Sequence, residues 1–242
     1  MDLHISQVPI WISGLFSIIF CTLPILLIAN AIKQAFENAG LKSSLKIKKQ
    51  IFVFYGLYFL IIAIMSLSGV FVKNTLPPRI MIIAVVPLFF FYLFYVKGRG
   101  WFKLVFKNIK LEQLIFIHVF RFVGFFFIVA YFYGALPKAF AFIGGIGDIV
   151  SAVLAIVVVV ALRKKSLFAI PLVWVWNVIG LLDIISILTT AIILTKSSIE
   201  NNTQGVAQFG TFPFSWIPAF APATIIFLHI LVFEKLKLIK AQ

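Results

Sequence analysis

Five ionisable side chains lie inside otherwise apolar stretches of this 242-residue sequence, His118, Arg121, Asp148, Asp183 and His229, and the uncharged Asn177 joins them. Each lies in a run long enough to cross a membrane, where an ionisable group facing lipid costs several kcal/mol. At ~1.5 Å of rise per residue, Arg121, Asp148 and Asp183 all fall near the middle of their runs. Three charges at one depth are expected to find one another. One arginine does not neutralise two carboxylates, so either one aspartate is protonated or a cation or hydrated cavity supplies the balance. The chemistry this points to is the handling of protons, ions or a small solute. Arg121 would be the fixed counter-charge, one aspartate the titrating or cation-binding group, and Asn177 the residue that orients the site. His118 shares a helical face with Arg121, three residues away, and His118 and His229 are candidate relays leading inward. The competing expectation is a scaffold: Arg121 pairs with one aspartate, the other bonds to Asn177, backbone or water, and the charges only specify packing.

Other chemistries leave fewer traces. His118 and His229 lie at loosely matched depth, which would permit axial ligation of one haem; no other cofactor and no metal is expected. No Walker-type phosphate loop, HExxH pair or CxxC pair occurs. The seventh apolar run has no lysine between Thr211 and Phe233 for a retinal Schiff base. Cys21 is the single cysteine and forms no internal disulfide. A non-enzymatic role is therefore expected.

Three glycines precede Asp148, at 144, 145 and 147. They allow close helix–helix approach or, alternatively, an unwound stretch that exposes backbone groups, as in discontinuous transporter helices. Gly145-Ile146-Gly147-Asp148 also looks like the GxGD element of intramembrane aspartyl proteases, and Pro218-Ala219-Phe220 faintly resembles that family's PAL element. Asp183 would then be the second catalytic carboxylate, activating water with Asp148. In that family the partner aspartate precedes the GxGD; here it follows. An intramembrane hydrolase is the third reading.

The elements that must position these residues are helices in a bilayer. The chain is 63% hydrophobic and 12% charged, with a mean hydropathy of +1.15, against roughly 25% charged residues in a soluble domain. Seven transmembrane helices are predicted, over about 8–30, 51–72, 80–96, 113–133, 139–162, 167–195 and 212–233, forming one all-α membrane domain. The net charge of +14 would suggest nucleic acid in a soluble protein, but the basic residues sit between the apolar runs. Sixteen of the 21 Lys and Arg fall in 31–50, 97–112, 163–166 and the tail after 233. The positive-inside rule makes that side cytoplasmic, with the N-terminus outside and the C-terminus inside. Met1–Gln7 carries no Lys or Arg, so the first run is read as a retained helix and not a signal peptide. Asn201-Asn202-Thr203, in the outer loop 196–211, is a glycosylation sequon by pattern.

Between Lys97 and Glu112, Trp101, Phe102, Val105 and Ile109 fall on one helical face, and Lys103, Lys107 and Lys110 on another. That predicts an amphipathic helix in the inner headgroup layer, near anionic lipids, acting as a topological anchor or a lipid sensor. A homo-oligomer or a membrane partner subunit is compatible with the sequence; nucleic acid is not expected.

The second half resembles a family of uncharacterised bacterial, Bacteroidetes-type, multi-pass membrane proteins, over about residues 115–235. The residues that carry the likeness are His118-Val119-Phe120-Arg121-Phe122-Val123-Gly124, Gly134-Ala135-Leu136-Pro137, Gly145-Ile146-Gly147-Asp148, Trp176-Asn177-Val178-Ile179-Gly180-Leu181-Leu182-Asp183 and Trp216-Ile217-Pro218-Ala219-Phe220. The resemblance implies a bacterial inner membrane and no particular activity.

Overall fold

A computed structural model describes residues 7–41, 44–203 and 205–240. Lys42, and the Met1–Ser6 part of the leading segment, lie outside these residues. The described chain is helical, with no β-strand. The helices are α1 (Ile10–Asn38), α2 (Ser44–Leu67), α3 (Met81–Val96), α4 (Gly100–Asn108), α5 (Leu111–Phe132), α6 (Lys138–Arg163), α7 (Ala169–Glu200) and α8 (Trp216–Lys240). Six of them are long and apolar enough to cross a membrane, and the bent pair α3–α4 would make a seventh. The protein is therefore an all-helical, multi-pass membrane protein.

Helices α1 and α7 outrun the apolar stretches that predict them, as do the start of α2 and the end of α8. The last turns of α1 carry Lys33 and Glu37, and those of α7 carry Lys196 and Glu200. These are i,i+4 pairs on turns that have already left the apolar run, where each supports continued helix by ~0.2–0.5 kcal/mol. The expected outer loop 196–211 accordingly begins as helix. It turns at Asn202, whose positive φ of 51° is one that asparagine tolerates. Asn74 Nδ2 then donates to Ser198 Oγ (2.8 Å) and ties this end to the α2–α3 connection.

The two ends of the bundle differ. At one end α1, α4, α5 and α8 meet: Asn38 Nδ2 donates to the Asn108 carbonyl (3.0 Å) and Gln113 Nε2 to Gln34 Oε1 (2.7 Å). The basic loops collect here. At the other end, Ser66 Oγ donates to the Gly210 carbonyl (2.8 Å) and Trp216 Nε1 to the Phe59 carbonyl (2.9 Å), fixing α2 to the start of α8.

Within α3, Pro87 cannot donate to the preceding turn, and wider π turns flank it over Met81–Val85 and Phe91–Val96. Helix α4 then leaves α3 at 88°. Phe102 and Val105 face inward and are buried, while Trp101 is exposed. The C-terminal carbonyls of α4 are orphans of helix geometry. Lys235 Nζ donates to those of Phe106 (2.8 Å) and Lys107 (3.1 Å), placing a cation at the negative end of the helix dipole. Lys97 and Glu234 form an ion pair between the end of α3 and α8.

The core centres on α8. It buries Phe220, Ile225 and Val232 completely and has no broad lipid-facing stripe, unlike α7, where Val175, Leu182 and Ile193 are more than half exposed. Around it, Phe16, Phe20, Phe59 and Phe220 form a chain of ring contacts with centroids 5.3 to 5.9 Å apart.

Lys235→Met removes two of the bonds that hold α4 against the bundle. Hydrogen exchange should rise at least fivefold in residues 100–109, while the global melting temperature in detergent falls by only a few degrees, because two partly exposed bonds contribute about 1–3 kcal/mol.

Candidate functional site

Helix α5 is not uniform. Residues Ile117–Gly124 tighten into a 3-10 helix between α-helical turns. With three residues per turn, side chains three apart eclipse, so His118, Arg121 and Gly124 stand in one column facing α6, α7 and α8. His118 and Arg121 have no exposed surface.

Across from them, α6 runs unbroken from Lys138 to Arg163. The expectation of an unwound stretch at Gly144–Gly147 is overturned. Its glycines serve close approach instead. A Cβ on Gly144 would collide with Ile187 Cδ1, one on Gly145 would lie 2.9 Å from the Gly124 carbonyl oxygen, and one on Gly147 would collide with the Asp183 carboxylate. Packing on both sides holds these glycines helical, although each is disfavoured by ~1 kcal/mol relative to alanine. Gly124 and Gly180 complete the set: a Cβ there would sit 2.5 Å from Asp148 Cβ and 2.6 Å from the His229 ring, respectively.

In the space so cleared, Arg121, Asp148 and Asp183 meet. Arg121 Nε donates to Asp148 Oδ1 at 2.7 Å, and Nη2 donates to Asp183 Oδ2. Nη1 donates to the Gly180 carbonyl (3.2 Å) and approaches His229 Nε2 (3.4 Å). Asp148 is buried, and the Asp183 side chain keeps 13% of its surface. Asn177 contacts neither aspartate. It clamps His229 instead: the imidazole Nδ1 is 2.7 Å from Asn177 Oδ1, and Asn177 Nδ2 donates to the His229 carbonyl (3.1 Å). That pairing puts the imidazole proton on Nδ1 and turns the Nε2 lone pair to the guanidinium.

His118 lies against His229, ring centroids 4.3 Å apart, and meets the Trp176 ring edge-on at 4.9 Å. Trp176 is itself fixed by its Nε1 donating to the Ser151 carbonyl (3.0 Å). Imidazoles in mutual contact leave no room between them for a macrocycle, so this arrangement does not fit a bis-histidine haem. Neither ring nitrogen of His118 has a partner among the described residues. No group of three or more metal-ligating side chains occurs among the described residues either.

All six polar residues singled out in the sequence thus share one site. Close approach at Gly147 was expected, but its partner, the carbonyl of Gly180 and the close approach of Gly124 were not legible, because a glycine records neither its carbonyl's direction nor what it clears space for. A cavity of about 80 Å³ was also hidden. It runs from Lys73, Asn74 and Thr195, at the end away from the basic loops, past Ile187 and Pro222 to Asp148. The residues that line it come from five separate stretches of sequence.

Arg121→Gln should cost about 3–5 kcal/mol, since it leaves two largely buried carboxylates without their counter-charge. The triple substitution Arg121→Gln, Asp148→Asn, Asp183→Asn should recover at least half of that, measured by thermal or denaturant unfolding in detergent. Gly147→Ala should destabilise by about 1–3 kcal/mol through overpacking alone.

No curated protein and no solved structure is significantly similar to this chain. A family model described as a domain of unknown function (DUF8737) matches residues 77–237, more than half of the chain. The match takes in every residue of the site, and it starts well before residue 115, so that α3 and α4 lie within it. This chain is a member of the DUF8737 family.

Proposed function

We propose that this protein binds and releases protons, or a small monovalent cation, at the Asp148–Arg121–Asp183 cluster in the middle of the membrane. One observation carries the reading: a single guanidinium is shared by two carboxylates, and a cavity reaches one of them from the end opposite the basic loops. With both carboxylates ionised the trio carries a net negative charge, which a proton or cation offsets. The cavity volume narrows the cargo. About 80 Å³ holds several waters, each needing ~10–15 Å³ on this measure, but no sizeable organic solute. On the other side of Arg121, His229 presents a lone pair and His118 carries two unpartnered nitrogens, a route by which a proton could continue inward.

A scaffold is the second reading, favoured by the saturation of Arg121, whose three nitrogens all have protein partners. It predicts that changes at the aspartates alter stability and that there is no flux to lose.

Proton flux driven by a pH step, followed with a trapped dye in liposomes, separates the two. Wild-type protein should exceed empty liposomes, and Asp148→Asn and Asp183→Asn should each reduce the flux at least tenfold while remaining folded. Folded wild type that carries neither protons nor Na⁺ or K⁺ overturns the proposal and leaves the scaffold.

We also propose a bacterial inner membrane, on the resemblance over residues 115–235, and an orientation with the basic loops in the cytoplasm and α4 in the inner headgroup layer, on the charge bias between loops. In a Cys21→Ala background, a membrane-impermeant maleimide added to intact cells should label Asn202→Cys and leave Lys103→Cys unlabelled until the membrane is opened.

A further inference from the structure

At the basic end, a second and larger cavity has no part in the charge cluster. It occupies about 370 Å³ between α1, α2, α3, α4, α5 and α8, within the roughly 300–1,000 Å³ of small-molecule sites. Its walls are almost wholly apolar and aromatic. One wall is the face of α2 formed by Ile47, Ile51 and Phe54; the opposite wall is the inward face of α4. Only one polar group lies deep inside, a hydroxyl chain in which Tyr92 bonds to Tyr55 (3.1 Å) and Thr224 (3.0 Å). These hydroxyls are buried and bonded to one another, so they do not call for water.

Water gains too few partners in such a space, and an empty void forfeits the dispersion contacts of every side chain around it. Hydrocarbon satisfies the walls. The rim is different in character. Gln50, Tyr95 and Trp101 line the cavity and are also exposed, which places the opening there. The Arg99 guanidinium lies over the Tyr95 ring, 3.8 Å from its centroid, and among the described residues Arg99 is in no ion pair. Lys48 and Lys49 immediately precede Gln50. An apolar interior with a cation over one of its rim residues is complementary to an anionic amphiphile.

We infer that this cavity takes one acyl chain of an anionic phospholipid, drawn from the leaflet at the basic end, with its phosphate held at Arg99 and the α2 lysines. The α4 helix forms the lateral wall of the site. This inference is independent of the proton or cation reading, because it uses none of the six residues of the cluster.

The test is native mass spectrometry and thermal shift on the full chain in detergent, titrated separately with dioleoyl phosphatidylglycerol, dioleoyl phosphatidylcholine and oleate. Wild type should retain one phosphatidylglycerol, at least tenfold more tightly than phosphatidylcholine, with a rise in melting temperature. Leu228→Trp, which fills the cavity from α8, should lower that affinity at least tenfold. Ile51→Trp fills it from α2 and serves if the first variant does not fold. Arg99→Gln should remove the preference for the anionic head and retain chain binding. Wild-type affinity in a folded cavity-filling variant overturns the site. Equal binding of the two phospholipids by wild type overturns the anionic assignment. Oleate bound in preference to phosphatidylglycerol overturns the phospholipid and assigns a free fatty acid.

Discussion

The structure depends on one guanidinium in a place where a lone charge is untenable. Arg121 has no exposed surface, and each nitrogen of its fork is answered from another helix: Asp148 from α6, Asp183 and Gly180 from α7, His229 from α8. The hydrophobic effect does not drive helices together inside lipid, where side-chain packing and interhelical hydrogen bonds carry that role. Here four helices are fixed in register by one side chain. The glycines at 124, 147 and 180 follow from the same constraint, since each lets a helix backbone come close enough for the fork to reach.

That arrangement also explains the tightened turn in α5. An ordinary α-helix would fan His118, Arg121 and Gly124 around its surface by about 60° per three residues, whereas three residues per turn bring them into line. The alignment lets one helix present a histidine, a guanidinium and a gap to its neighbours at three successive levels. It ties the local backbone geometry directly to the charge cluster, and through His229 and Asn177 to the core helix α8.

Much of this was legible from residue types, and the reasons differ by level. Helices could be read because apolar length is forced by bilayer thickness. The charge cluster could be read because buried charges must be answered and only three lay at one depth. What escaped notice depended on direction rather than identity. Asn177 was assigned to the aspartates, yet it holds His229, because depth along α7 does not say which neighbour a side chain faces. Continuity of α6 through three glycines was undecidable from propensity, which tertiary packing overrides. The cavity under α4 was invisible for a related reason. Tyr55, Tyr92 and Thr224 lie on three different helices, and no spacing connects them.

The burial of α8 bears on how the molecule comes to exist. Helices α1 to α7 leave the ribosome before it, yet it is the most deeply buried of the described spans. Until it arrives, the nascent bundle has an open slot, the Arg121 fork lacks its histidine, and the aromatic chain through Phe220 is incomplete. Completion of the core therefore waits on α8, although Asp148 and Asp183 already answer Arg121 from α6 and α7.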